Sequence, residues 1–307
     1  MNHLPLEKRV RIIAALVEGN SLRATSRMTG VAFNTVLKSL VDIGTTCRAY
    51  HDANVRKVWA QKVQCDEIWS FCAVKDKHIL TGEERPGEIG SIWTWTGLDS
   101  VSKLMIAYHV GTRDADCACE FMNDLAGRLA CRVQMTTDGH KAYLEAVEGA
   151  FGSRIDYAML VKLYGKAPSG DAPDTRYSPA ACIGARKDVV TGVPNPDAIC
   201  TSHVERANLT MRMGMRRFTR LTNGFSKKVE NHEHAVALHF LHYNFARVHM
   251  TLRVTPAMEA GLCDHVWTLE EIAELVPAPV AAPWGSRNGR RRAASSNEPT
   301  EPPENSN

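Results

Sequence analysis

Residues 64–74 read QCDEIWSFCAV, and this stretch decides the fold. Apolar, aromatic and β-branched residues dominate it, and its length is that of a β-strand. Two similar stretches follow: SIWTWTGLD at 91–99 and KLMIAYHV at 103–110. The turn-like segments GEERPGEIG and DSVS separate the three stretches. Three consecutive strands with short connections predict an antiparallel arrangement.

Helical and strand-like segments alternate after these three strands. We predict a helix over 114–130, a fourth strand over CRVQMTTDG (131–139), a helix over 140–147 and a fifth strand over SRIDYAMLV (153–161). Strands first and alternation afterwards predict an α/β fold, in which a mixed sheet carries helices on its faces. Residues 164–200 are rich in Pro, Gly and Asp without a clear period, and we interpret them as an insertion.

The first 60 residues have a different pattern, with apolar residues at helical spacing. Two short helices meeting at Gly30 predict a helix-turn-helix domain over residues 1–60. Its second helix would present Asn34, Thr35 and Lys38 to a DNA groove. A purely structural three-helix bundle would show the same periodicity, but the segment holds nine Lys/Arg against four Asp/Glu, which favours DNA binding.

Two carboxylates interrupt strands that should be buried. Asp66 lies between apolar neighbours in the first strand, and Asp138 ends the fourth. A buried charge is costly unless it is paired or bound to a metal. Oxygen ligands without neighbouring Cys or His favour Mg²⁺ or Mn²⁺ over zinc.

The segments CDEIWSF (65–71), TTDGHKAY (136–143) and the long run from SHVERAN to FARVH (202–249) resemble the DDE transposases of the insertion sequence one family. The resemblance covers roughly residues 61–260 and implies a ribonuclease H-like core, in which the first and fourth strands are neighbours. It places the catalytic triad, which binds two divalent cations, on Asp66, Asp138 and Glu205. This chain lacks the zinc-binding N-terminal module that family members often carry.

The resemblance implies that Asp66 bridges both cations, while Asp138 and Glu205 complete one each. Glu67 follows Asp66 and should point to the opposite face of its strand, so we do not expect it to bind metal. Asp99 also ends a strand, and we interpret it as a turn-forming residue.

A basic stretch surrounds Glu205, since residues 201–253 hold nine Lys/Arg, three Asp/Glu and six His. A helix from Ser202 would place Asn208, Arg212 and Arg216 near the face of Glu205, where the arginines could hold DNA phosphates. Gly214 would let DNA approach. Arg247 and His249 are further candidate DNA contacts, with Arg247 packed against a core acid as the alternative. The histidines at 232, 234, 239 and 242 could hold a metal, but phosphate contacts or surface exposure are favoured.

The sequence also supports expectations about the binding partners and the cellular location of the protein. We expect double-stranded DNA as the ligand, namely the element's terminal repeats and the target, and a homo-oligomer assembled on it. Apolar runs such as 12–17 and 276–282 are far below the roughly 20 residues a bilayer needs, so we expect no membrane span and a cytoplasmic, bacterial protein. We divide the chain into the N-terminal domain, a catalytic domain over 61–250, a helical extension over 251–276 and a disordered tail over 277–307.

Three functions are compatible with these features. The first is a transposase that cuts and joins DNA strands with divalent cations. The second is a DNA-binding regulator descended from a transposase, although retention of all three acids argues against lost catalysis. The third is a ribonuclease H-like nuclease, which the N-terminal DNA-binding segment disfavours.

Overall fold

The computed structural model describes residues 4–83, 85–165, 182–219 and 222–277. The predicted disordered tail lies outside this part except for Pro277. The helices and strands run, in chain order, as α1 Leu6–Val17, α2 Leu22–Thr29, α3 Phe33–Asn54, β1 Lys62–Cys72, β2 Gly90–Asp99, β3 Met105–Gly111, α4 Ala115–Arg128, β4 Val133–Thr137, α5 Ala142–Phe151, β5 Ile155–Tyr164, β6 Cys182–Thr191, α6 Ser202–Gly214, α7 Val229–Leu241, α8 Pro256–Glu259 and α9 Leu269–Glu274.

The sheet has the strand order β3-β2-β1-β4-β5-β6. Strands β1, β2 and β3 are antiparallel, as predicted from their short connections, whereas β4 pairs in parallel with both β1 and β5. The chain therefore has the mixed α/β, ribonuclease H-like sheet, in which the first and fourth strands are neighbours. Asp99 accepts bonds from the amides of Val101 (3.1 Å) and Ser102 (3.0 Å), which confirms its role in the turn before β3.

The predicted insertion contains a strand that the sequence did not reveal. Strand β6 pairs antiparallel with β5 at the sheet edge, so residues 182–191 of the predicted insertion form a regular strand. Almost every β6 side chain is exposed on either face. A strand whose two faces are both exposed buries no apolar side chains, so apolar and polar residues need not alternate along it. Strand β6 therefore lacks the two-residue period by which strands are identified in a sequence. Residues 166–181 of the insertion lie outside the described part.

The N-terminal helices form as predicted, but the third is longer than a DNA-reading helix requires. Ser21 caps α2, and Gly30 ends it in the left-handed conformation at φ 67°. Helix α3 continues to Asn54, and its buried residues Leu40, Ile43 and Cys47 belong to the same core as Leu238 of α7 and Phe121 of α4. The chain up to Val276 forms one compact unit. The N-terminal helices therefore share the core of the sheet, with no linker at residue 60.

The C-terminal segment returns to the N-terminal helices. Arg9 donates from Nη1 to the carbonyl of Ala273, 2.8 Å away, and Ile272 and Ala273 are fully buried. A capping box between Thr268 and Glu271 starts α9. None of the described helices is long and apolar enough to cross a membrane.

A glycine sets the spacing of α3 and α7. A Cβ placed on Gly44 would lie 2.6 Å from the Cα and the carbonyl oxygen of His234. Gly149, by contrast, lies in α5 with no atom within 4 Å of such a Cβ.

We predict that Gly44→Ala lowers the free energy of unfolding by about 1–3 kcal/mol, because backbone atoms of α7 cannot yield to the added methyl group without separating the helices. Gly149→Ala should raise it by about 0.5–1 kcal/mol, because alanine has the higher helix propensity. Urea denaturation measures both. A Gly44→Ala midpoint equal to or above that of Gly149→Ala would contradict the close packing.

Candidate active site

The two strand acids lie side by side in the sheet. The last aligned pair of the parallel β1–β4 ladder is Gln64 with Thr136, so the same register two residues further on aligns Asp66 with Asp138. Asp138 follows β4 directly, and its Oδ1 accepts a 2.9 Å bond from the amide of His140. This turn fixes the carboxylate at the end of the strand.

Helix α6 holds Asp66 through Asn208. The Asn208 side-chain amide donates to Asp66 Oδ2 over 2.9 Å. The hydroxyl of Thr96, on the neighbouring strand β2, lies 2.9 Å from the Asp66 carbonyl and 3.3 Å from Asn208 Oδ1. Asn208 is buried, so this contact fixes both the helix and the carboxylate.

Glu67 points to the face of β1 opposite Asp66, as predicted: it contacts Arg113, whereas Asp66 contacts Asn208. Its carboxylate nevertheless lies close to the two strand acids. Oxygen atoms of Asp66, Glu67 and Asp138 all lie within 4.8 Å of one another. Because the β1–β4 ladder ends at Gln64, side chains from both faces of β1 can reach Asp138 beyond it. We call these three residues the carboxylate group.

Arg113 supplies positive charge beneath the carboxylate group. Its guanidinium contacts Glu67 at 3.0 Å and 3.1 Å, and lies 3.7 Å from Asp138. The same guanidinium stacks 4.7 Å from the centre of the Trp93 ring. Arg113 precedes the Asp114 cap of α4 and has no local sequence signal, so the sequence analysis missed it.

Burial and mutual repulsion raise the pKa values of Asp66 and Glu67. Burial, together with the neighbouring charge of Asp138, raises the pKa of Asp66 to about 6, although the bond from Asn208 opposes this. The same two causes raise the pKa of Glu67 to about 7, despite the charge of Arg113. Carboxylates that resist ionisation in this way indicate that the carboxylate group holds more negative charge than its surroundings balance.

Glu205 lies in the first turn of α6 and lines the same cavity, but it is outside the close carboxylate group. Lys162 of β5 contacts its Oε1 at 2.6 Å, and the hydroxyl of Thr201 donates to the same oxygen. A metal ligand role for Glu205 would require exchange of Lys162 for a cation. Lys162 lies at a strand position that carries no motif, so the sequence alone does not indicate this contact.

The cavity brings acids and bases together in about 700 Å³. Its wall contains Asp66, Glu67, Asp138 and Glu205 together with Arg113, Lys141, Lys162 and Arg212. Acids that can hold a cation beside bases that can hold phosphate oxygens are the combination that phosphoryl-transfer sites use. We call this space the acidic cavity.

The predicted arginine face of α6 is only partly correct. Arg212 lines the acidic cavity with Glu205, whereas Arg216 does not, because α6 ends at Gly214 and Arg216 belongs to a separate 3₁₀ turn. Gly214, at the end of α6, is half-buried. Its carbonyl oxygen would lie 2.7 Å from a Cβ on Gly19, so the turn between α1 and α2 packs directly against it.

Arg247 and His249 lie on the surface near the start of α6. Arg247 is exposed, and His249 has a lowered pKa because of partial burial and the nearby charges of Lys103 and Arg247. Their neighbours Tyr243 and Asn244 have a structural role. Asn244 is buried and exchanges two hydrogen bonds with Met105, of 3.0 Å and 2.9 Å, which fixes the start of β3.

Two of the four clustered histidines are core residues. Burial lowers the pKa of both His232 and His239 to about 3, so they stay neutral at physiological pH. His232 Nδ1 is hydrogen-bonded to Ser226 at 2.8 Å. The preference for phosphate contacts or exposure is therefore wrong for these two residues.

The helix-turn-helix candidates begin α3. Asn34 and Lys38 are exposed and Thr35 is half-buried, so the first turn is accessible. Lys38 forms an exposed ion pair with Asp42 at 2.6 Å, one helical turn along. Such a pair contributes little stability and can open to release the lysine for a phosphate.

The carboxylate group fits a divalent cation. Its donors are all hard oxygens. Burial, and after it the charge of Asp138, raises the pKa values of Asp66 and Glu67, and a cation would remove the repulsion. Asp66, Asp138 and Glu67 would hold the ion, because their carboxylate oxygens lie close together. The predicted ligand Glu205 lines the acidic cavity beside them.

No protein-family model matches the sequence, and no curated protein matches it significantly. Three complexes of the Mos1 transposase are among the similar solved structures. The paired-end complex with the left transposon end is 16% identical with a TM-score of 0.21, covering 48% of this chain and 58% of that one. The pre-cleavage Mos1 transpososome is 12% identical with a TM-score of 0.20, and the match covers 51% of this chain and 60% of that one. The Mos1 strand transfer complex is 12% identical with a TM-score of 0.24, and the match covers 73% of this chain and 81% of that one. This chain therefore spans less than two thirds of the first two relatives. At these TM-scores, the likeness carries no information about individual side chains.

We predict that Asp66→Asn stabilises the metal-free protein at pH 8. The folded-state pKa of about 6 lies above the ordinary value of 3.8, so stability falls as pH rises through that window. Removing the charge should raise the free energy of unfolding at pH 8 by on the order of 2–3 kcal/mol. This gain in stability should shrink toward pH 4.

Urea denaturation in EDTA at pH 8 and pH 4.5 measures this difference. Added Mg²⁺ should stabilise the wild type and have a much smaller effect on Asp66→Asn. Equal stabilities of the two proteins at pH 8 in EDTA would show that the buried carboxylate carries no such cost.

Proposed function

We propose that this protein is a DNA transposase that cuts and joins DNA strands at the acidic cavity. The observation that carries the proposal is the proximity of the Asp66 and Asp138 carboxylates beyond the β1–β4 ladder, with Glu205 and four Lys or Arg side chains in the same cavity. We further propose that it acts in the bacterial cytoplasm, on double-stranded DNA ends, as a homo-oligomer. The finer assignment to the insertion sequence one family rests on the sequence resemblance.

The residues of the acidic cavity would perform three tasks. Asp66 and Asp138, with Glu205, would hold two divalent cations, Mg²⁺ or Mn²⁺, which supply an activated attacking oxygen and stabilise the leaving one. Arg212, Lys141 and Lys162 line the cavity and would contact DNA phosphates there. Asn208 and Arg113 orient the carboxylates from opposite sides of the sheet. Glu67 is a further candidate ligand in the carboxylate group.

We predict that Asp66→Ala, Asp138→Ala and Glu205→Ala each abolish nicking of element-end DNA in Mg²⁺ or Mn²⁺, because each removes a ligand oxygen. DNA affinity should stay within a few-fold of wild type. The substrate is duplex DNA taken from the two flanks of the reading frame, tested for short inverted repeats. Glu148→Ala, on the exposed face of α5, is the matched control and should nick normally.

Persistent nicking by any one of the three variants would remove that residue from the catalytic set. Nicking of an RNA–DNA hybrid in preference to the duplex end would favour the nuclease function. Specific binding by the wild type without any nicking would favour the regulator.

We predict that replacing Asn34, Thr35 and Lys38 by alanine together reduces the ratio of specific to nonspecific DNA affinity, because the first turn of a recognition helix contacts base edges. Lys38→Ala alone should reduce the slope of log affinity against log salt by about one, as expected for one lost phosphate contact. Fluorescence anisotropy with end and scrambled duplexes measures both. An unchanged ratio in the triple variant would exclude α3 as the reading helix.

A further inference from the structure

A second cavity lies between the N-terminal helices and the segment that follows α6. It encloses about 500 Å³ and shares none of its lining residues with the acidic cavity. Leu22 and Phe33 line it on one side, and Met215 and Phe225 line it on the other. We call it the basic cavity, because of the charges described next.

Five positive side chains line the basic cavity, and its described lining contains no acid. These side chains are Arg23, Arg216, Arg217, Lys227 and Lys228. Arg217 is fixed by a 2.9 Å bond to Ser226, whereas Arg216, Lys227 and Lys228 are exposed. A cavity with apolar walls and a positive edge requires a ligand that is apolar in one part and anionic in another.

Two aromatic rings in the basic cavity already carry cations. The Arg23 guanidinium lies 5.2 Å from the centre of the Phe33 ring, and Lys227 Nζ lies 3.1 Å from that of Phe225. Phe225 also stacks on Phe71 of β1, with centroids 4.6 Å apart, so a base would stack on the face that Lys227 covers and would displace its ammonium group toward a phosphate. Rings interleaved with basic residues are the pattern by which proteins bind unpaired nucleotides, with bases on the rings and phosphates on the cations.

Size and position favour a single strand over a duplex. A volume of about 500 Å³ is that of a small-ligand pocket and can admit a nucleotide, but not a double helix. Helix α6 connects the two cavities, from Glu205 to Met215, which is roughly 15 Å at 1.5 Å per residue. That distance corresponds to about four stacked nucleotides. A strand bound at the acidic cavity could therefore reach the basic cavity while still attached to its duplex.

We propose that the basic cavity is a second nucleic-acid site, which takes an unpaired DNA segment adjacent to the bond being cut. This proposal rests on the proposed function as a DNA-processing enzyme. Its position beside the first turn of α3 would connect strand capture to recognition of the DNA end.

The test measures binding of fluorescein-labelled oligothymidylate to the full chain in EDTA, so that no cleavage is needed. Phe225→Leu, which keeps an apolar side chain, should weaken binding about tenfold or more through lost base stacking. It should leave the salt dependence unchanged. The double variant Lys227→Gln/Lys228→Gln should weaken binding and reduce the salt slope, because phosphate contacts are lost. Lys77→Gln, an exposed lysine outside both cavities, is the control and should bind as wild type.

Unchanged affinity in either the Phe225 variant or the double lysine variant would overturn the proposal, and so would failure of the wild type to bind oligothymidylate. Competition by polyglutamate as strong as by unlabelled oligothymidylate would also overturn it, because that result indicates a general anion surface. Thermal melting confirms that the variants fold; the double lysine variant changes only exposed side chains. Nicking of element ends in Mg²⁺ is scored separately, so the enzyme assignment can fail while this site stands, and the reverse.

Discussion

The parallel pairing of β1 with β4 is the constraint on which the site depends. It aligns Asp66 with Asp138 and brings Glu67 to the same point, which concentrates three carboxylates in a partly buried space. Burial and, after it, the nearby like charges oppose ionisation, and together they raise the pKa values of Asp66 and Glu67. The surrounding residues offset part of it, since Arg113 contacts two of the acids and Asn208 donates to the third.

The distribution of charge follows from this arrangement. The acidic cavity combines four acids with four bases, whereas the basic cavity has five bases and no acid in its described lining. The acidic cavity follows α6 from Glu205 in its first turn to Arg212 in its last turn, and the basic cavity begins just beyond the helix at Met215. A modest net charge of +3 therefore conceals two local environments with different ligand chemistry.

The N-terminal helices share the core of the sheet. Gly44 allows α3 to approach α7 closely, Gly19 allows the α1–α2 turn to contact the end of α6, and Arg9 joins α1 to the carbonyl of Ala273. Helix α3, fixed in this way, has one orientation relative to the acidic cavity. Under the proposed function, the position of a DNA end on α3 would determine which phosphate reaches Asp66.

The sequence by itself determined the elements with strong patterns: the first five strands, the helices that separate them and the candidate acids Asp66 and Asp138, whereas Glu205 came from the family resemblance. Each of these elements and both strand acids has a local signal, because alternation, helical period or a charge in an apolar run is visible within about ten residues. Only the tertiary structure decided where α6 ends, that His232 and His239 are core residues, and that β6 exists at an exposed edge. It also decided the partners Arg113 and Lys162 and the position of Glu67 beside Asp66 and Asp138. These depend on contacts between residues tens of positions apart, and such contacts leave no periodic trace in one sequence.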